Sequence, residues 1–194
     1  IDITKTDVTC FGDDDGTALA DPLTGLGPYS YVWDTPLADI TADITDLPPN
    51  TYTVEVLDAT GCPGSATVTI VEPDLLEITD VTTTNASCGM SNGSMTITVS
   101  GGTLPYSYSI DNGVTFQADN EFTDLLNGTY RIVVTDGNGC EVRTDGIVRL
   151  DSPFRFIGVV VTAESCVPAN DGSILIRIRD GVGPFEYSID GGVT

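Results

Sequence analysis

All five cysteines of this 194-residue chain fall on one regular lattice. Cys10, Cys88 and Cys166 are spaced 78 residues apart, and so are Cys62 and Cys140. Each member of the second series follows a member of the first by 52 residues. The chain is therefore a tandem repeat, and self-similarity at a fixed period constrains the fold more than any single motif.

Short motifs recur together with the cysteines. The sequence PYSY at Pro28–Tyr31 returns as PYSY at Pro105–Tyr108 and as PFEY at Pro184–Tyr187. The last seven residues match the stretch that ends at Thr115, so the third copy stops within its unit. We predict a first repeat over residues 1–74, a second over 75–152, and the N-terminal half of a third over 153–194.

The cysteine spacing indicates one disulfide in each complete repeat. We expect Cys10 to pair with Cys62 and Cys88 with Cys140, whereas the partner of Cys166 would lie beyond the end of the sequence. Domains of this size gain from a covalent cross-link, and closing about 52 residues stabilises by roughly 4 kcal/mol in the chain-entropy model. Paired cysteines in small repeated domains are typical of an oxidising, extracellular compartment.

The apolar pattern predicts an all-β fold. Val and Ile alternate with Thr in short runs such as Thr67–Val71 and Ser94–Val99, and Gly, Pro, Asp and Asn interrupt the chain at short intervals. Six strands per complete repeat favour an immunoglobulin-like β-sandwich. Because Cys10 follows the first strand and Cys62 the fifth, we expect their bridge at one end of the sandwich. The junctions carry Pro and lack a Gly/Ser tract, so the repeats should stack end to end as a semi-rigid rod.

Aromatic side chains alternate along single strands, which leaves two interpretations. They form the core, or they form an exposed platform that stacks on sugars; a period-two aromatic face is more often buried. Tyr52 and Tyr130 follow a turn and resemble a tyrosine corner, in which the hydroxyl bonds to nearby backbone. The structural aromatic residues that we predict are Tyr29, Tyr31, Trp33, Tyr52, Tyr106, Tyr108 and Tyr130.

The composition excludes several classes of function. The chain has no histidine and a net charge of −22, which argues against histidine-based catalysis and against binding to nucleic acid or anionic membranes. No stretch is apolar enough to cross a bilayer. We expect no enzyme activity and no obligatory cofactor. Calcium at Asp13, Asp14 and Asp15 is one alternative, and a solvated acidic turn is the other, since the later repeats lack this acidic triplet.

The combined motif resembles the SprB repeat family. It consists of Cys, (Asp/Asn)-Gly-(Ser/Thr), Gly-x-x-Pro-(Tyr/Phe)-x-Tyr, Leu-x-x-(Asn/Gly)-Thr-Tyr-x-(Val/Ile) and Asp-x-x-Gly-Cys, and the resemblance covers the whole chain. These repeats build large cell-surface adhesins of gliding Bacteroidetes. The resemblance implies export by the type IX secretion system, display at the outer membrane and a role in gliding motility.

Three hypotheses follow for the function. The first is a structural and adhesive filament segment, with neighbouring repeats as its partners and surface polysaccharide or the substratum as its target. The second is a carbohydrate-binding module of a secreted multidomain protein, which requires exposed aromatic side chains. The third is a linker made rigid by calcium.

Overall fold

A computed structural model describes residues 1–151, 154–166, 169–181 and 184–189. Its regular elements within these ranges are 14 β-strands and no helix. The strands of the first repeat are β1 Asp2–Thr6, β2 Gly16–Asp21, β3 Ser30–Trp33, β4 Asp43–Leu47, β5 Asn50–Leu57 and β6 Pro63–Ile70. Those of the second are β7 Glu77–Thr84, β8 Gly93–Ser100, β9 Ser107–Ser109, β10 Glu121–Leu125, β11 Gly128–Thr135 and β12 Glu141–Val148. The third repeat contributes β13 Arg155–Thr162 and β14 Ser173–Arg179.

Each complete repeat consists of two three-stranded sheets, so the predicted all-β architecture is confirmed. In the first repeat the orders are β1-β2-β4 and β3-β5-β6, and all four pairings are antiparallel. The second repeat has the same orders with the equivalent strands, β7-β8-β10 and β9-β11-β12. Within the described residues the third repeat has one antiparallel pair, β13-β14.

The core of the first repeat lies between its two sheets, as in a sandwich. Ala18 and Ala20 of β2 belong to the same buried cluster as Trp33 of β3 and Val54 of β5. Trp33 and Val54 are fully buried. Alternate residues of each strand point inward, which is why the period-two pattern of the sequence identifies these strands correctly.

The chain divides into two compact units. Unit 1 comprises Ile1–Thr82, Thr96–Glu121 and Tyr130–Gly146, and unit 2 comprises Thr83–Met95, Phe122–Thr129 and Ile147–Thr194. This division passes through the second repeat and does not test the predicted repeat boundaries, which stay a prediction. The boundary between Ser152 and Pro153 lies outside the described residues.

β6 separates the two cysteines of the first repeat. Val8, just before Cys10, donates its backbone N–H to the carbonyl of Val71 at 3.0 Å, directly after the end of β6. Cys62 instead directly precedes the first residue of β6. A strand of eight residues spans about 26 Å, and the Cα atoms of a disulfide lie within about 7 Å. The two cysteines of one repeat are therefore at opposite ends of the sandwich.

Candidate functional site

One disulfide joins Cys10 of the first repeat to Cys140 of the second, with 5.7 Å between their Cα atoms and 130 residues between them in sequence. The predicted pairings Cys10–Cys62 and Cys88–Cys140 are therefore wrong. In each complete repeat the last strand separates the two cysteines, as β6 does in the first. In the second repeat, Ala86, two residues before Cys88, donates its N–H to the carbonyl of Arg149 just beyond the end of β12. Cys140 directly precedes the start of the same strand. The junction between repeats 1 and 2, which lies within unit 1, is the candidate functional site.

A side-chain hydrogen bond closes the loop that carries Cys10. The carboxylate of Asp15 accepts the backbone N–H of Thr9 at 2.8 Å. The Thr9 hydroxyl also donates to this carboxylate and lowers the pKa of Asp15 most, and the backbone bond lowers it further. The backbone N–H of Asp13 bonds to the carbonyl of Cys10 at 3.1 Å. The loop is thus fixed on both sides of the cysteine, which reduces the conformational freedom that disulfide formation must remove.

Asp136 holds Cys140 in a tight turn. Its Oδ1 accepts the backbone N–H of Asn138 and that of Cys140, both at 2.9 Å, and its Oδ2 accepts the N–H of Thr103 at 2.8 Å. Gly139 has φ = 90°, the left-handed backbone that glycine adopts at low cost. A buried carboxylate with three donors is well satisfied, so this turn presents the cysteine in one defined orientation.

Two further contacts stabilise this junction, one between the two repeats and one between the linker and the first repeat. The side-chain amide of Asn138 donates to the carbonyl of Thr9 at 2.9 Å. Glu72, in the linker between the repeats, accepts the backbone N–H of Gly12 at 2.8 Å. Sequence reasoning did not predict either hydrogen bond. Both residues are visible in the sequence, as the Asn of the motif Asp-x-Asn-Gly-Cys and as the acidic residue after β6. Their contacts depend on the Cys10 loop lying opposite the Cys140 turn, which only the folded structure shows.

The linker packs closely against the second repeat. The carbonyl of Asp74 accepts the backbone N–H of Gly102 at 2.7 Å, and Leu76 is buried. Gly101 has φ = 70°, and a Cβ there would lie 1.9 Å from the carbonyl oxygen of Leu75. Only glycine permits this close approach of two backbones.

On the other side, the linker is anchored to the first repeat. The backbone N–H of Val71 donates to the carboxylate of Asp7 at 2.9 Å, and Lys5 forms an ion pair with Asp7 at 2.6 Å. Both contacts lower the pKa of Asp7, the bond from Lys5 more strongly. Lys5 also donates to the carbonyl of Thr69 at 2.6 Å. The chain therefore leaves the first repeat along a defined path.

The other cysteines lie in equivalent loops but carry free, exposed thiols: Cys62, Cys88 and Cys166. Asp58 Oδ1 accepts the backbone N–H groups of Thr60 and Cys62 at 2.8 and 2.9 Å, as Asp136 does around Cys140. Asn92 accepts the N–H of Ser87 at 2.7 Å, in the position of Asp15. The recurring geometry shows that both kinds of cysteine loop belong to the repeat.

The predicted aromatic residues are largely part of the packing. Trp33, Tyr52 and Tyr108 are buried, whereas Tyr29, Tyr31, Tyr106 and Tyr130 are half-buried. The Trp33 indole N–H donates to the carbonyl of Thr41 at 3.0 Å. The Tyr52 hydroxyl donates to the carbonyl of Pro48 at 2.8 Å, the contact expected of a tyrosine corner. Tyr29 and Tyr31 pack against the core cluster of the first repeat and do not form an exposed platform.

The acidic triplet does not gather into a ligand set. Asp13 and Asp14 are exposed, and Asp15 is engaged with Thr9. Within the part of the chain that the structure describes, no three His, Cys, Asp or Glu residues converge in a way that could hold a metal ion. The same residues contain no helix able to span a membrane.

Comparison with known proteins gives one family and a set of distant structural matches, of which murine CEACAM1b and Dpr2 Ig1-Ig2 are two. The family model described as SprB repeat matches residues 3–38, 81–115 and 158–194, together more than half of the chain. No curated protein matches it significantly. The crystal structure of murine CEACAM1b is 12% identical, covering 71% of this chain and 93% of that one, with a TM-score of 0.32. Dpr2 Ig1-Ig2, in complex with DIP-Theta Ig1-Ig3, is 11% identical, covering 80% and 65%, with a TM-score of 0.29.

Proposed function

Because the chain belongs to the SprB repeat family, we propose that it is a structural segment of a large cell-surface adhesin whose repeats are cross-linked in series. The observation that carries this proposal is the Cys10–Cys140 bond, which joins consecutive repeats covalently. A bond within a repeat would strengthen that repeat alone. A bond between repeats lets a load pass from one repeat to the next without relying on non-covalent contacts.

The junction also supports a semi-rigid rod. The linker is bonded to the first repeat through Asp7 and to the second through Gly102, so little of it is free to bend. The net charge of −22 favours solubility and repulsion between neighbouring filaments. These properties suit a long projection that presents an adhesive surface away from the cell, with surface polysaccharide or the substratum as the target.

The finer parts of the proposal come from the family. SprB repeats occur in cell-surface adhesins of gliding Bacteroidetes, so we propose an extracellular location at the outer membrane, export by type IX secretion and a role in gliding. The segment acts without catalysis. In support, Cys10 and Cys140 are joined in a disulfide, and the Asp136 carboxylate accepts backbone N–H groups of its own turn.

Surface labelling tests this proposal. Antibody raised against residues 1–194 should label intact cells of the source organism, and external protease should remove the label. A strain with the gene deleted should lose adhesion and spreading on agar, and a strain that carries the restored gene should regain both. Label that appears only after permeabilisation, or a deletion strain with normal adhesion, would contradict the proposal.

A further inference from the structure

We infer that the disulfide between Cys10 and Cys140 recurs at the neighbouring junctions of the array. Cys88 bonds to the Cys140-equivalent of the following repeat, and Cys62 bonds to the Cys10-equivalent of the preceding repeat. The bonds then form a continuous ladder along the array, with one bond at every junction. This inference deepens the proposed function and rests on it only for an oxidising compartment.

The argument begins with equivalence. Cys62 and Cys140 are 78 residues apart, as are Cys10 and Cys88. The first pair sits in identical turns, in which an Asp side chain accepts the N–H of the cysteine at 2.9 Å in both repeats. The second pair sits in loops closed by the same bond, from the residue before the cysteine to an Asx side chain, at 2.8 and 2.7 Å.

The second step is position. Cys62 lies at the start of β6 and Cys10 near its end, so each repeat carries one cysteine type at each end. In the closed bond, the Cys10 type at the end of one repeat meets the Cys140 type at the start of the next. Cys62 directly precedes β6, and Cys88 follows Ala86, whose N–H bonds to the carbonyl of Arg149 just beyond the end of β12. Both are exposed, as a thiol must be if another repeat is to reach it.

The chemistry balances with an ordinary thiol oxidant. Two cysteine thiols lose two protons and two electrons as the S–S bond forms. The electrons reduce the disulfide of an oxidant, such as oxidised glutathione or a dithiol-disulfide exchange protein, to two thiols through a mixed disulfide. No metal or cofactor is required.

A chain with a completed third repeat tests the Cys88 half. Residues 1–194 are followed by a second copy of residues 116–152, in register because Thr194 matches Thr115. After oxidation in a glutathione buffer, peptide mapping without reduction should link Cys88 to the second copy of Cys140. The Cys10–Cys140 bond in the same sample reports correct folding. A Cys88 that remains alkylatable while that bond is closed would overturn the inference.

A chain with an added leading repeat tests the Cys62 half. A copy of residues 79–156 before Ile1 preserves the 78-residue period. Cys62 should then bond to the copied Cys88, and changing that copied cysteine to serine should leave Cys62 a free thiol. A bond between Cys62 and Cys10 in either chain would overturn the inference.

The 194-residue protein itself provides a third test. In Cys10→Ser, the inference expects Cys140 to remain a free thiol, because Cys88 lies at the opposite end of β12. A Cys88–Cys140 bond in this variant would show that pairing within a repeat is possible and would contradict the ladder. The disulfide map is independent of surface labelling, so failure of the ladder and failure of the adhesin proposal are separate outcomes.

Discussion

At the residue scale, single acidic side chains fix the conformation of the cysteine loops through hydrogen bonds. Asp58 accepts hydrogen bonds from Thr60, both side chain and backbone, and from the N–H of Cys62. The Thr60 hydroxyl contributes most, followed by Cys62, and together these donors lower the pKa of Asp58 from 3.8 to about 2. Hydrogen bonds to the ionised form stabilise it and thereby couple the turn to pH.

The sign of this coupling gives the first prediction. A depressed pKa in the folded state contributes stability that is present above the unfolded value, near pH 4, and is lost as the pH falls towards 2. Asp58→Asn should therefore flatten the fall in Tm between about pH 4 and pH 2. Thermal unfolding followed by circular dichroism measures this, with Asp80→Asn, at an exposed position of β7, as a control. Equal slopes in both variants and in the natural protein would contradict the assignment.

At the element scale, the close approach between the linker and the loop after β8 depends on one glycine. In Gly101→Ala, the new Cβ would lie 1.9 Å from the carbonyl oxygen of Leu75, so the linker backbone must move. Gly89 has a similar φ of 72°, but nothing lies within 4 Å of its Cβ position. The two positions therefore separate backbone strain from steric clash.

We predict that Gly89→Ala costs about 1 kcal/mol, the usual penalty for a left-handed alanine. Gly101→Ala should cost at least about 2 kcal/mol more, because a displaced linker also loses the Asp74–Gly102 hydrogen bond. Urea unfolding of both variants measures the difference in the free energy of unfolding. Equal costs would mean that the linker does not pack against this loop in solution.

The disulfide adds a further prediction at this scale. A closed loop of 130 residues stabilises by about 5 kcal/mol in the chain-entropy model. Cys10→Ser should lose a sizeable part of this, whereas Cys62→Ser should change stability by less than about 0.5 kcal/mol, because Cys62 is exposed and unbonded in this chain. Chemical denaturation under non-reducing conditions compares the two. A larger loss in Cys62→Ser would contradict the Cys10–Cys140 pairing.

At the scale of the whole molecule, the cross-link determines how far the chain can be extended. With Cys10 joined to Cys140, the intervening residues cannot bear load. Reduction should release about 430 Å or more of additional contour length, given roughly 3.3 to 3.6 Å per extended residue. Single-molecule pulling before and after adding a reductant measures this step. A step of about 180 Å would instead indicate a loop of 52 residues, as in pairing within a repeat.

The same scale separates what the sequence determined from what it did not. The period, the strands and the buried aromatic residues follow from local patterns: alternation identifies β5 and β11, and Trp33 is buried as a period-two position requires. The bond from Tyr52 to Pro48 is also local, since the two residues are four apart. Such features depend on neighbours in sequence, and a single chain therefore reveals them.

The partner of Cys10 was decided by the tertiary structure alone. Cys10 follows the first strand of its repeat and Cys62 follows the fifth. These two positions lie at the same end of the sandwich only if successive strands alternate in direction throughout. They do not: β4 is antiparallel to β2 and so runs in the same direction as β1. β3 runs in this direction too. It is antiparallel to β5, β5 is antiparallel to β6, and β6 ends beside the end of β1. Because the consecutive strands β3 and β4 run in the same direction, Cys62 lies at the end of the sandwich opposite Cys10.

A regular cysteine spacing thus predicted cross-links at a fixed period, but not which two cysteines form a bond. Spacing in sequence is the same whether a bond closes within a repeat or between repeats. Only the direction of the strands and the stacking of repeats place two sulfur atoms within bonding distance, and both are long-range properties of the folded chain. For that reason the lattice of five cysteines predicted the repeat, and the tertiary structure decided that the bond lies at its junction.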